Sequence, residues 1–512
     1  MRVSWFFSSV LLLGLAASCA TSGEAGPDGF AAGGSSAQGG SDQAGGSGGA
    51  PAPAPLQPAT GIALGEVALY QGVKVSLYTA ANGQVTKRNA PIIQGRDALL
   101  RVFFAPKPDW QPHRIAVRVT LQPGQGEAQV LEIQGTPGGV STDEDLNSSA
   151  NFDIPAALLD GTLSLRVELL DVEAGQGDTS GSAWPVEGFQ ALEEKSAEGN
   201  FKLRVYPIRY DADGSGRLPD LGEERQKAIR HAFLKRYPIP GIELELGEEI
   251  PWTSKVSANG SGWQSLLQKL VNLRAKEKRP NVYYYGLFLP TNSLASFCIQ
   301  GCVAGLTLIS PGTDDPSLRA SIGLGYNDEM SLNTILHEVG HAHRRTHAPC
   351  GPFGQLPDQI DPKFPYKTGK IGVWGYDLLD RTLKDPAKFF DFMGYCDPNW
   401  VSDYTFNALF QRVVALNNQA AFVHGNPTRW RQAWFDLEGE LRWGDIVERT
   451  LPPVGEELTV SLGEGPNARQ VKGYFHGMSH LPGGLLLLPE DVGTPDVLDA
   501  GREGRFYVRG RP

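Results

Sequence analysis

Positive charge is scarce in this chain: 46 lysines and arginines face 57 aspartates and glutamates, for a net charge of −11. A balance of that sign argues against nucleic acid as a partner and fits a soluble extracellular protein. Cysteine is sparse as well, five in 512 residues. The spacings lack paired C-x-x-C knuckles, which disfavours a structural zinc site made from four cysteines. The apolar stretch near the amino end, Trp5 to Ala17, is too short to span a membrane. Histidine is also rare, nine in all, yet four of the nine fall between positions 337 and 347.

Glycine and proline, 62 and 37, are abundant and unevenly placed. At 55.3 kDa the chain is too long for one ordinary core, so several domains are expected. Residues 1–19 read as an export signal: Arg2, the apolar run, and the small residues Ala16-Ala17-Ser18 before Cys19. Cys19 is a lipidation candidate, which would attach the protein to a membrane as a cell-surface or outer-membrane lipoprotein. Ordinary cleavage would make it a secreted protein instead. Residues 20–60, rich in Gly, Ala, Ser and Pro, have almost nothing to bury and read as a disordered tether.

Residues 61–192 carry short alternating runs such as Ile115-Ala116-Val117-Arg118-Val119, the pattern of a β-sandwich, here read as a spacer or packing module. From 197 to 425 the pattern becomes mixed α+β. Helices are expected at Glu223 to Arg236, Gly262 to Arg274 and Tyr404 to Leu416, and buried strands at Val282 to Leu289 and Val303 to Ile309. Ser402 is placed to cap the last of these helices. Short strands return in a small C-terminal β module, 428–512, where His476 and His480 lack a carboxylate partner and are read as non-ligands.

The chemistry lies in His337-Glu338-Val339-Gly340-His341, followed by His343 and His347. On a helix, residues four apart share a face, so His337 and His341 can bind one metal ion with Glu338 beside them. His347 would be the third ligand. Three neutral protein ligands leave zinc an open position, and a neighbouring carboxylate, Glu338, serves as general base. His343, two residues from His341, faces the other way.

The spacing H-E-x-x-H-x-x-x-x-x-H, with Asp391-Phe392-Met393-Gly394-Tyr395 downstream, resembles the metzincin zinc endopeptidases. That resemblance implies a central metzincin-like catalytic domain in which the chain turns sharply after the helix, Met393 forms a Met turn beneath the metal, and Tyr395 reaches the metal or the oxyanion. It also implies an edge strand before the metal helix that binds extended peptide by β-addition, with Val303 to Ile309 as the candidate. Asp397 to Trp400 would lie near the pocket for the residue after the cut bond. The clan has Gly where this chain has Arg344, so Arg344 must take a backbone conformation that a Cβ disfavours, or the turn differs. Export makes disulfides the expected state of Cys298, Cys302, Cys350 and Cys396. Sequence allows three pairings; a bridge from Cys350 to Cys396, leaving Cys298 with Cys302, would staple the Met turn to the third ligand's loop.

Asp211, Asp213 and Ser215 have the oxygen spacing that opens a calcium loop, but the twelfth position is Gly222, and a turn closed by Asx hydrogen bonds is the preferred reading. The whole implies an exported zinc endopeptidase acting on polypeptide or glycoprotein substrates. Two alternatives stay open: a surface-binding lipoprotein whose zinc domain no longer turns over, and a zinc amidase acting on cell-wall peptides.

Overall fold

The computed structural model describes residues 55–510 apart from 278, 280, 310–315, 352–358, 420–426, 450–452, 464–465, 467, 496 and 501–508. The export signal, Cys19 and most of the tether lie outside the described residues. The chain is multidomain and mostly β-sheet, with few helices.

In the first part, two antiparallel sheets face each other. One is built around Ile62–Tyr70, flanked by Lys74–Thr79 and Ala98–Pro106; the other around Ser164–Asp171, flanked by Ile115–Gln122. Strand alternation sets which side is dry: along Ile115–Gln122, Val117, Val119 and Leu121 are buried while Arg118 and Thr120 are only partly so. Inward residues of both sheets, among them Val67, Leu100, Val117 and Val167, share one core.

The central part begins with β1 (Phe201–Tyr210), α1 (Glu223–Arg236), β2 (Ile242–Leu246), α2 (Trp263–Lys276) and β3 (Val282–Phe288). It continues through β4 (Gly305–Ile309), β5 (Ala320–Leu324), α3 (Glu329–Ala342) and α4 (Asp403–Gln419). The sheet runs β2-β1-β3-β5-β4, parallel throughout except for β4, which is antiparallel to β5. The sequence reading passed over β5, because Ser321 and Gly323 break its apolar pattern. Gly323 is there for contact: a Cβ on it would lie 2.1 Å from the Tyr285 hydroxyl of the neighbouring strand.

The last part is antiparallel: β6 (Thr428–Phe435), β7 (Leu441–Arg449), β8 (Glu456–Leu462), β9 (Arg469–Met478) and β10 (Gly484–Pro489). It is not a separate body. β9 pairs with β4, Leu308 opposite Met478 and Ile309 opposite Gly477, so the two parts share one sheet. The β4 edge, expected to be free for a peptide, is therefore covered along part of its length by the chain itself.

Candidate metal centre

α3 starts where the Asp328 carboxylate accepts from the Ser331 N–H, 2.7 Å, and packs Ile335, Leu336 and Val339 into the core. It ends at Arg344, whose φ is +69°, with the Arg345 N–H bonded to the Gly340 carbonyl at 2.9 Å. A residue with a Cβ thus holds the left-handed position that closes the helix, at a strain of about 1–3 kcal/mol. The turn carries the chain to His347, whose N–H donates to the Gln359 carbonyl, 2.7 Å, and whose carbonyl accepts from the Asp361 N–H, 2.8 Å.

Three imidazoles converge here. Nε2 of His341 lies 3.0 Å from Nε2 of His337 and 3.1 Å from Nε2 of His347, and all three residues are buried. Their protonation follows from their partners. A carbonyl only accepts, so His337 Nδ1–H donates to the Phe392 carbonyl, 2.8 Å, and His341 Nδ1–H to the Arg345 carbonyl, 2.7 Å. Burial, reinforced by the neighbouring imidazole charges, pushes His337 down to about 4 and holds His341 and His347 well below the usual range. Neutral rings that donate through Nδ1 present bare lone pairs at Nε2.

Glu338 is buried beside them. Its Oε2 accepts from the Thr307 hydroxyl, 2.8 Å, and the Ser479 hydroxyl, 3.2 Å, while Oε1 accepts from His480 Nε2–H, 2.7 Å. Burial pushes this carboxyl up, but the His480 and His337 imidazoles and the Thr307 hydroxyl outweigh it and hold the pKa below its ordinary value. β4 can come this close only because Gly305 has no side chain: a Cβ there would stand 2.5 Å from Glu338 Cγ.

Met393 lies under the helix at Gly340, and Phe392 and Met393 are both buried. The loop is pinned by the Met393 N–H on the Asp391 carboxylate, 2.9 Å, and by the Ala348 N–H on the Met393 carbonyl, 3.0 Å. Cys350 is bonded to Cys396 and Cys298 to Cys302, the pairings expected. The Tyr395 hydroxyl reaches the centre, 3.0 Å from His347 Nε2 and 2.7 Å from His480 Nδ1. The Tyr395 hydroxyl thus bridges the ring nitrogens of His347 and His480.

His480 is a correction to the sequence reading. It was set aside for want of a carboxylate partner, and that partner is Glu338, 142 residues away. Nitrogen atoms of His337, His341, His347 and His480 all lie within 4.8 Å of one another, a group that can hold a metal ion. Nothing local in the sequence signals this, since the pairing of β9 with β4 creates it. His476, by contrast, is fully buried away from the group. His343 is structural, its ring stacked on Tyr283 at 4.3 Å and its Nδ1–H donating to the Val339 carbonyl, 2.8 Å. Trp400 is buried, with its indole N–H on the Gly72 carbonyl at 2.8 Å. Asp211, Asp213 and Ser215 form a tight turn: Asp213 accepts from Ser215 and Arg217, both at 2.6 Å, and Asp211 from the Gly216 N–H at 3.0 Å. Those carboxylates are engaged by the turn itself rather than gathered around a vacant centre.

The ring nitrogens of His337, His341 and His347 face one another in a buried cluster, a group that can hold a metal ion. Tetrahedral zinc, with zinc–nitrogen distances near 2.0–2.1 Å, holds ligand nitrogens about 3.4 Å apart, close to the spacing seen.

No protein-family model matches the chain, and no curated protein does. Among solved structures, a chaperone–substrate complex is similar over 53% of this chain at 12% identity and a TM-score of 0.24; this chain spans 38% of its length. Metalloproteinase-II from Bacteroides fragilis is similar over 62% of this chain and 85% of its own, at 12% identity and a TM-score of 0.23. Likenesses this slight carry no argument about activity, and the functional reading rests on the site.

Proposed function

We propose that this chain is an exported, zinc-dependent peptidase of metzincin type acting on polypeptides or glycoproteins. The observation that carries the reading is the convergence of three buried Nε2 atoms, from His337, His341 and His347, beside the buried Glu338 carboxylate. Zinc held there supplies Lewis acidity, acidifying water and polarising a carbonyl. The chain's own residues do the rest. Phe392 and Arg345 carbonyls fix two of the rings in the metal-binding tautomer. Thr307 holds Oε2 of Glu338, leaving Oε1, once His480 yields it, to take the proton from water and pass it to the departing amine. The Tyr395 hydroxyl, beside His347, can donate to the oxygen on which charge develops. Two disulfides support an oxidising compartment. Membrane attachment through Cys19 is checked by fractionating cells that express the full chain or its Cys19→Ala variant.

The test pairs metal analysis with cleavage of a mixed peptide and glycoprotein library. About one zinc per chain is expected, with Glu338→Gln keeping the metal and losing roughly 10²-fold or more of the rate. Metal retained with no cleavage by either protein would favour the binding lipoprotein; no metal would remove the site.

A further inference from the structure

The strand edge that faces the centre is already partly in use. Beyond the Leu308–Met478 and Ile309–Gly477 pairs, the Ser479 N–H donates to the Thr307 carbonyl, 2.8 Å, and the Ser479 hydroxyl accepts from the Thr307 N–H, 3.0 Å. Gln359 Nε2 clamps the Met478 carbonyl from the other side, 2.8 Å. The next residue, His480, closes on Glu338 and Tyr395. The chain thus runs antiparallel to β4 as far as Met478, bends at Ser479 and His480, and stops on the general base, in the place an extended substrate would take.

Past the buried Gly305 the edge becomes partly exposed, at Ala304 and Val303. Antiparallel alternation turns the N–H and C=O of Gly305 outward, as it does those of Thr307. A cleft of about 1650 Å³ begins at Ala304, reaching Val303, Asn333, Thr334 and Asp397 and bounded by His480. The polarity follows from the strand already in place. A peptide laid along β4 in the same antiparallel sense would meet Ile309 with its amino-terminal residues and Gly305 with its carboxy-terminal ones, so the filled half is the amino-terminal half. The Thr307 hydroxyl is 2.8 Å from Glu338, so the obstruction starts within about one residue's rise, ~3.4 Å, of the reacting carboxylate.

We propose that the Gly477–His480 segment makes the channel one-sided, so that the protein removes short pieces, about one or two residues, from the amino end of polypeptides while the remaining chain lies in the cleft beside Val303 and Ala304. This rests on the peptidase reading above and narrows it from cutting at internal bonds to cutting near an end. The step needs only water: its oxygen bonds to the carbonyl carbon, the C–N bond breaks, and the proton passes to the new amine.

The experiment reads cut positions by mass spectrometry in a library of defined peptides incubated with the zinc-loaded full chain. Cuts within the first two or so residues are expected at least ten-fold more often than internal ones. In parallel, Glu338→Gln is titrated with dye-labelled peptides extended at one end or the other: lengthening the amino side should weaken binding about ten-fold, and lengthening the carboxy side should not. The double variant Ser479→Gly/His480→Gly should move cuts inward. Internal cuts by the wild type, or equal binding of amino-extended peptides, would overturn the one-sided channel and leave the peptidase standing. Hydrolysis by the double variant alone would overturn it too, making the segment an inhibitory plug, and no hydrolysis by any form would end both readings.

Discussion

Replacing Gly340 by Ala tests whether the helix, the Met turn and the metal ligands form one mechanical unit. A Cβ at Gly340 would stand 2.3 Å from Met393 Sδ, 3.2 Å from Met393 Cε and 3.5 Å from Phe392 Cε2. The Met393 backbone is held, its N–H by Asp391 and its carbonyl by Ala348, so the buried thioether must find room by repacking against its neighbours. Overpacking of this kind costs about 1–3 kcal/mol. Alanine in a helix interior returns about 1 kcal/mol relative to glycine. The net is a loss of about 0–2 kcal/mol, too broad by itself to decide anything. Metal affinity decides, because Phe392, pushed with Met393, supplies the carbonyl that orients His337. Disturbing such an outer partner costs about 10–100-fold in metal affinity. The assay is thermal unfolding of the metal-free protein together with zinc titration against a chromophoric chelator. A Gly340→Ala protein that binds zinc as tightly as wild type would refute the coupling of the Met turn to the site.

Other expectations follow from single features. Arg344→Gly should relieve the strain at φ +69° by about 1–3 kcal/mol, offset by about 0.5–1 kcal/mol of unfolded-state freedom, and so raise the melting temperature by a few degrees; an unchanged or lower melting point would mean the position is not strained. Removing the Cys350–Cys396 bridge, which closes a sequence separation of 46, should cost about 4 kcal/mol in denaturant unfolding. Burial, with the Arg449 charge second, pushes His476 down to about 3 from 6.5. The unfolded chain then binds a proton that the folded chain refuses, so this contribution to stability is complete above pH 6.5 and is lost as pH falls toward about 3. His476→Leu should therefore lose less melting temperature than wild type between pH 7 and 4.5 in the metal-free protein, and equal losses would contradict the assignment.

What could be read from the sequence was whatever depends on neighbours along the chain. The i, i+4 spacing of His337 and His341 puts two imidazoles and a carboxylate on one helix whatever surrounds them. The alternation at Ile115–Gln122 and the run Val282–Phe288 mark strands by their own periodicity. The strained turn at Arg344 could be anticipated only through the resemblance, which implies a glycine at that position. Tertiary structure decided what depends on register between distant strands. β5 was missed because contact with Tyr285, not hydrophobicity, selects its glycine. His480 was dismissed because its partner, Glu338, becomes a neighbour only when β9 pairs with β4. The same pairing covers the edge expected to receive substrate, and a one-residue slip would turn Ser479 and His480 away from the centre. No local pattern encodes that register. It is set by the hydrogen bonds of Met478 with Gln359 and of Ser479 with Thr307, made only once the folded parts meet.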